Sequence, residues 1–420
     1  MDSSHKAGQS YSVVDGGLWE YPFSDRYSTG VNSDEVTVSG GEVYRTVSDA
    51  GLDSSDFEAP FTFNELHADL RLKLKSINPS VEFNTRTSEL MAKMTCIVTE
   101  YLEKSASLVP YGSIATNLYS DKGSVDLMLF VPPGSFDALF GVDGGLGSHY
   151  ADIPVAILKE FELRQAMRRA LSQLGELFTV FCGLYVVKVT GVVPVLSVSA
   201  GSRVPVLTMT YPESAISFEI SCNNTFSLFS TRLLRAYDAL LPELRDLVQL
   251  VKCWARKQKL LGTLSGFAWS LLCVFYCQAC LGVLPSLQAA CKERQQWTDP
   301  FGSNRRYDVG FEENYAIPQP LSTLDGPSLF LGFLEYWSNY WNWSNGVVSV
   351  RLGRGVVMGS PEVFIRQSSV VTEGRSILII EDPFDIKKDL CQHTGCLDKV
   401  RETMRTTLEQ LNMGVTSNLF

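Results

Sequence analysis

From Phe61 onward, apolar residues recur with a helical period. In FNELHADLRLKLKSI, Leu66, Leu70, Leu74 and Ile77 fall near one face. A longer amphipathic stretch, PSVEFNTRTSELMAKMTCIVTEYLEK, follows Pro79. Residues 107–131 then read as loop, short helix and strand, and VAILKEFELRQAMRRALSQL returns to the helical period. Three strand-like runs come next: GLYVVKVTGVVPVLSV, VPVLTMTY and ISFEIS. After Asn224 the pattern is nearly all helical to about Gln288. The remainder mixes helices with short extended pieces, VVSVRL and ILIIEDPFD. No internal repeat is visible. The pattern predicts an α+β chain in two domains, as a length of 420 residues suits. A mixed-sheet domain spans about 107–225, and a mainly helical domain is built from both flanks, 58–106 and 226–420.

Residues 1–57 stand apart. They are rich in Ser, Gly and Asp with scattered apolar positions, too little to offset the entropy of ordering, so disorder is expected. Tyr21, Phe23 and Tyr27 offer a docking segment, against the plainer reading of a linker. The first 60 residues hold 11 acids against 3 bases, which accounts for −8 of the net charge of −10. The body is therefore close to neutral, and a basic groove on it stays compatible with the acidic total.

The longest apolar run, FAWSLLCVFYCQACLGVLP, is interrupted by Gln278 and ends at Pro285, so no membrane span is predicted. The N-terminal residues MDSSHKAGQSYSVVDGG carry neither an apolar signal core nor an Arg-rich amphipathic pattern. The 10 cysteines follow no framework spacing, which suits a reducing compartment. Cytosol or nucleus is expected, with mitochondria left open.

The chemistry concentrates in VPYGSIATNLYSDKGSVDLMLFV, residues 109–131. A Gly-Ser turn offers backbone N–H groups and a hydroxyl to phosphates. Two acids at i and i+2 on a strand share a face, so together with a third on a neighbouring strand they can hold two divalent ions roughly 4 Å apart. Such a pair neutralises a triphosphate and activates an attacking hydroxyl.

In these segments and others along its length, the chain resembles the noncanonical poly(A) polymerases and terminal uridylyltransferases, among the nucleotidyltransferases related to DNA polymerase β. Gly112-Ser113, then Ile114–Gly123, then Ser124-Val125-Asp126 follows the family's Gly-Ser, about ten residues, acid-x-acid. FEISCNN matches its third-acid segment, VKCWARKQ its basic helix, GTLSGF its GTLSSY and EDPFD its closing EDPFE, in order over about residues 60–390. The resemblance implies a nucleotidyltransferase fold with a PAP-associated segment near 328–390. Implied ligands are a nucleoside triphosphate and an RNA 3′ end, with Mg²⁺ or Mn²⁺ if the protein is active. Protein partners in an RNA-processing complex are expected as well.

Carried over residue by residue, the second acid is Asp126, the third is Glu219, and the first falls on Ser124. Another register makes Asp126 the first acid and Met128 the second. Either way the strand supplies one carboxylate, and Asp121 lies upstream in the turn. A serine hydroxyl does not offset a divalent charge, and glutamate sets its carboxylate about 1.5 Å further out, a misplacement that can cost about 10²-fold. By the same resemblance, Lys252 and Arg256 approach the triphosphate, Asn224 the sugar and Phe267 the base. Lys388 stands where uridylyl-specific members often place a His. The leading expectation is a degenerate, inactive member that binds nucleotide or RNA, or scaffolds a partner in RNA 3′-end metabolism. The rival is an active template-independent transferase adding UMP or AMP with a variant metal site.

Several features have plainer accounts. VKCWARKQKL read alone is an amphipathic helix, and TLSGFAWSLL a buried one with Thr263 as a cap. Cys273, Cys277 and Cys280 share a helix face without a fourth ligand and read as core. Cys391, His393 and Cys396 match no common zinc spacing. His5, His67 and His149 show no partner in the sequence. Arg164, Arg168 and Arg169 form a basic stripe, either an RNA-facing ridge or a solvated helix face.

Overall fold

The computed structural model describes residues 63–120, 123–141, 155–189, 204–213, 216–299, 306–316, 324–365, 378–391, 397–415 and 419–420. The acidic segment 1–57, with its aromatic residues, lies outside them, as do Asp121, His149, His393 and Cys396.

A five-stranded sheet occupies the middle of the chain. Its strands are β1 (Ser107–Pro110), β2 (Val125–Phe130), β3 (Tyr185–Val189), β4 (Val206–Tyr211) and β5 (Ile216–Cys222), in spatial order β1-β2-β5-β4-β3. β2 and β5 run parallel; the other neighbours are antiparallel. Residues 107–110, expected as loop, are strand because they pair with β2 from Ser107 opposite Phe130 to Pro110 opposite Leu127.

Helix α1 (Phe63–Ile77) and helix α2 (Val81–Ile97) fall to different cores. Leu66, Leu70, Leu74 and Ile77 pack into the helical lobe. Leu90, Met94 and Ile97 pack instead with Val125, Leu127 and Leu129 of the sheet. The assignment of all of 58–106 to the helical domain is therefore corrected: periodicity shows that α2 has a buried face, not which core that face meets. Ser80 starts α2, its hydroxyl accepting the Phe83 N–H at 3.0 Å.

Two further helices lie within the sheet lobe. Short α3 (Gly112–Ala115) follows β1, and α4 (Pro133–Phe140) follows β2. Helix α5 (Val155–Cys182) then crosses the sheet with Ala166, Ala170, Leu171, Leu174 and Phe178 buried. Gly175 lets this helix sit close, since a Cβ there would lie 3.1 Å from Cγ2 of Val186.

The helical lobe begins with α6 (Phe226–Leu240), α7 (Glu243–Lys257), α8 (Gly266–Phe275) and the short α9 (Leu287–Ala290). Ser265, not Thr263, caps α8, accepting the Ala268 N–H at 3.1 Å. A small hairpin, β6 (Gln296–Thr298) with β7 (Arg306–Asp308), precedes α10 (Gly326–Glu335). A second small sheet joins β8 (Gly346–Val348), β9 (Val356–Val357) and β10 (Ile379–Ile380), and α11 (Leu397–Asn412) follows. Trp254, Trp269, Phe275, Phe330, Phe333 and Trp337 fill this core. Both lobes belong to one unit, Phe61–Phe420.

Candidate functional site

The site is built on the turn between β1 and α3. Gly112 has φ +64°, a conformation that favours glycine, and a Cβ there would lie 2.4 Å from Oδ2 of Asp126. Glycine thus permits both the bend and the close approach of the carboxylate. The Ser113 backbone N–H donates to Asp126. The turn is anchored to the helical lobe, where Thr231 Oγ1 accepts the Gly112 N–H at 2.9 Å.

β2 then carries Asp126 and Met128 on one face by its period of two, with Ser124 immediately before its first residue. Asp126 is the register partner of Glu219 on β5. Both are half-buried, as is Ser124 just before the strand. Burial first, and the neighbouring Glu219 second, push the Asp126 carboxyl up to about 7, while Lys252 and the Ser113 N–H act the other way. Lys252 on α7 is brought down to about 8 by burial; Asp126 opposes this shift, and Arg256, one turn along, adds to it. Lys252 Nζ donates to Leu118 O at 3.5 Å, and Gln249 Nε2 to Tyr119 O at 2.8 Å, so α7 is tied to the loop behind the turn.

The two asparagines of FEISCNN divide their work. Asn223 is buried at φ 49°, and its Oδ1 accepts the Val131 N–H at 2.8 Å, which fixes the ends of β2 and β5. Asn224 hydrogen-bonds through its side chain to the Tyr111 phenol. The same phenol accepts the Ser221 hydroxyl at 3.3 Å and is pushed up to about 12 by burial and then by Asp126.

Sequence reasoning passed over Tyr111, Ser221 and Thr231. The available signals were slight: Tyr111 precedes the Gly-Ser turn, and Ser221 shares the strand face of Glu219. Phe267 is half-buried in the first turn of α8, where its neighbour Gly266 approaches the Lys252 side chain. Lys388 is engaged elsewhere. Its Nζ lies 3.2 Å from Oδ2 of buried Asp382, closing the loop that follows Glu381. The other oxygen of Asp382 accepts the N–H groups of Phe384 and Asp385.

Gly112, Ser113, Asp126, Glu219, Asn224 and Lys252 are therefore joined by strand register, hydrogen bonds and charge, partly through Tyr111, with Arg256 one turn beyond Lys252 and Ser124 two residues before Asp126. The donor set is two carboxylates and a hydroxyl. Among the described residues, no three His, Cys, Asp or Glu side chains converge as a metal-holding group. Cys273 and Cys277 are core residues, whereas Cys280 is exposed. His67 lies 3.5 Å from Asp325, the cap of α10. Of the arginine stripe, Arg169 donates to Phe140 O at 2.6 Å, and Arg168 lines an open groove with Gln165 and Glu176.

A pH test follows from Asp126. Its folded value of about 7 lies above the ordinary 3.8, so the folded state favours the protonated form. The stability this provides is present below about pH 4 and is lost as pH rises toward 7. Asp126→Asn is expected to be stabilised relative to wild type by about 1–3 kcal/mol at pH 8, after discounting for partial exposure. That advantage should disappear near pH 4. Urea midpoints at the two pH values measure it, and an advantage equal at both would remove the proposed origin.

The chain is similar to known proteins. Residues 66–239 match the family model "Poly(A) RNA polymerase, mitochondrial-like, central palm domain", and residues 328–388 match "Cid1 family poly A polymerase". Poly(A) RNA polymerase GLD2-A of Xenopus laevis is 27% identical over 191 residues, covering 44% of this chain and 35% of that protein. Its Danio rerio counterpart is 30% identical over 159 residues, covering 36% of this chain and 32% of that one. The matched stretch thus spans about a third of these relatives' length.

Among solved structures, a cytoplasmic RNA terminal U-transferase superposes with a TM-score of 0.62 at 20% identity over 83% of this chain and 94% of that one. Cid1 in complex with the UTP analog UMPNPP gives 0.60 at 19% identity over 84% and 95%. At such identities the structural likeness establishes the fold.

Proposed function

The chain belongs to the family of noncanonical poly(A) polymerases and terminal uridylyltransferases, and on that premise we propose that it is a member without nucleotide-transfer activity. In this reading it binds a nucleoside triphosphate or an RNA 3′ end in the cleft and serves as a binding or scaffolding component of RNA 3′-end metabolism, together with protein partners. The carrying observation is Ser124, where the family's first acid is expected, beside the lone pair Asp126 and Glu219. That donor set does not fit two divalent ions, which need shared carboxylates to sit side by side.

The assignment of parts follows the same reading. The sheet lobe, together with α2, is the nucleotidyltransferase palm, and 328–390 is the PAP-associated segment. Gly112 and Ser113 face the phosphates, Lys252 and Arg256 the triphosphate charge, Asn224 the sugar and Phe267 the base. Lys388, held by Asp382, is less available to select uracil.

One observation favours the rival reading, an active UMP or AMP transferase with Mg²⁺ or Mn²⁺. Asp126 and Glu219 are still register partners across adjacent parallel strands. Primer extension separates the two. Purified protein, labelled UTP or ATP, Mg²⁺ or Mn²⁺ and a single-stranded RNA primer are expected to give no 3′ extension. Robust extension that disappears in Asp126→Ala would establish the active reading instead.

A further inference from the structure

We infer that this cleft takes a nucleoside triphosphate without any divalent cation, because the Lys252 ammonium supplies from within the chain the positive charge that the remaining carboxylates require. The inference rests on the nucleotide-binding reading above and deepens it.

Geometry holds the ammonium in place. Lys252 Nζ reaches Leu118 O at 3.5 Å, and the Leu118 N–H donates to Ser113 O at 3.1 Å. The ammonium is thus fixed to the far end of the same turn whose Ser113 N–H meets Asp126. The bond from Gln249 to Tyr119 O at 2.8 Å keeps α7 against this loop. The start of α8 lies against the stem: a Cβ on Gly266 would stand 3.8 Å from Cε of Lys252, an ordinary packing contact.

The charges then balance without an ion. Asp126 and Glu219 contribute two carboxylates, and Lys252 and Arg256 two cations; the Lys252 charge acts on Asp126, and the Arg256 charge acts on Lys252. Asp126 already has an N–H donor and a cationic neighbour. A divalent ion entering beside it would meet the Lys252 charge in a partly desolvated cleft, where like-charge repulsion is strong. Serine at 124 acts in the same direction: it removes one carboxylate that would repel a metal-free triphosphate.

Calorimetric titration of UTP and of ATP into the full chain tests this, once with excess EDTA and once with Mg²⁺ at matched ionic strength. The two dissociation constants are expected to agree within about threefold, and Lys252→Met should weaken binding at least about tenfold in both media, with Lys252→Arg restoring most of it. Ser124→Asp, which restores the third carboxylate, is expected to make binding depend on Mg²⁺. Wild-type binding at least about tenfold tighter with Mg²⁺ would overturn the inference and leave the nucleotide-binding reading intact. Metal-free binding that Lys252→Met leaves unchanged would overturn the role of Lys252. No binding in either medium would overturn both this inference and the nucleotide site. The wild-type comparison requires no variant to fold.

Discussion

Restoring both acids, Ser124→Asp with Glu219→Asp, is expected to raise 3′ extension of an RNA primer by at least about 10²-fold over the wild-type background. Two separate effects support that magnitude. The aspartate at 124 would share a strand face with Asp126, two residues away, and complete an acid-x-acid pair able to bridge metals. Shortening Glu219 by one methylene would draw its carboxylate back toward Asp126, its register partner. A bound metal supplies several kcal/mol of charge stabilisation, so loss or gain of a holding acid is felt steeply. The Gly112-Ser113 turn and Lys252 already lie beside Asp126. The uncharged control, Ser124→Asn with Glu219→Gln, is expected to show no gain. A thermal shift on adding Mg²⁺ should appear in the Asp variant, because an ion that binds only the folded state stabilises it. If the Asp variant takes up Mg²⁺ and still extends nothing, the defect lies outside the acids.

Arg351→Met is expected to cost about 3–5 kcal/mol of stability, the penalty for leaving a buried carboxylate unpaired. Glu381 is 1% exposed at its side chain and Arg351 23%. The guanidinium meets both oxygens, Nε to Oε1 and Nη2 to Oε2, each at 2.9 Å, while Ser349 donates to Oε1 at 2.7 Å. Nη2 also donates to Glu362 O at 3.0 Å. The cluster staples β8 to the chain beyond β10, and the Asp382–Lys388 loop starts from it. Replacing both partners, Arg351→Met with Glu381→Met, should recover most of the loss, since two apolar side chains leave no orphaned charge. Denaturant midpoints of the single and double variants measure this. A single variant within about 1 kcal/mol of wild type would show that the pair is not what holds the segment.

Much of the site could be read directly from the residues. A strand alternates faces whatever it packs against, so the spacing from Gly112-Ser113 to Asp126 was enough to assign Ser124, Asp126 and Met128 to one side. The same regularity placed Leu66, Leu70, Leu74 and Ile77 on one face of α1, and those residues are buried together. The arrangement of segments also carried the family, because phosphate cradle, acids, basic helix and closing EDPFD follow one another in order.

What the sequence by itself determined is therefore local: which residues share a face, where a turn needs glycine, and that this strand supplies one carboxylate. The tertiary structure alone decided which surfaces meet. It sent α2 to the sheet core although α1, also amphipathic, went to the helical one. It also set the Tyr111 phenol between Ser221 and Asn224, and joined Arg351 to Glu381 across 30 residues. Lys388, which stands where uridylyl-specific members often place a His, has its Nζ 3.2 Å from Oδ2 of Asp382. The physical reason is one of range. Periodicity and steric preference act within a few residues and fix the direction of a side chain. The partner it finds, and through burial and neighbouring charge its protonation, depend on segments far away in the chain that only the folded core brings into contact.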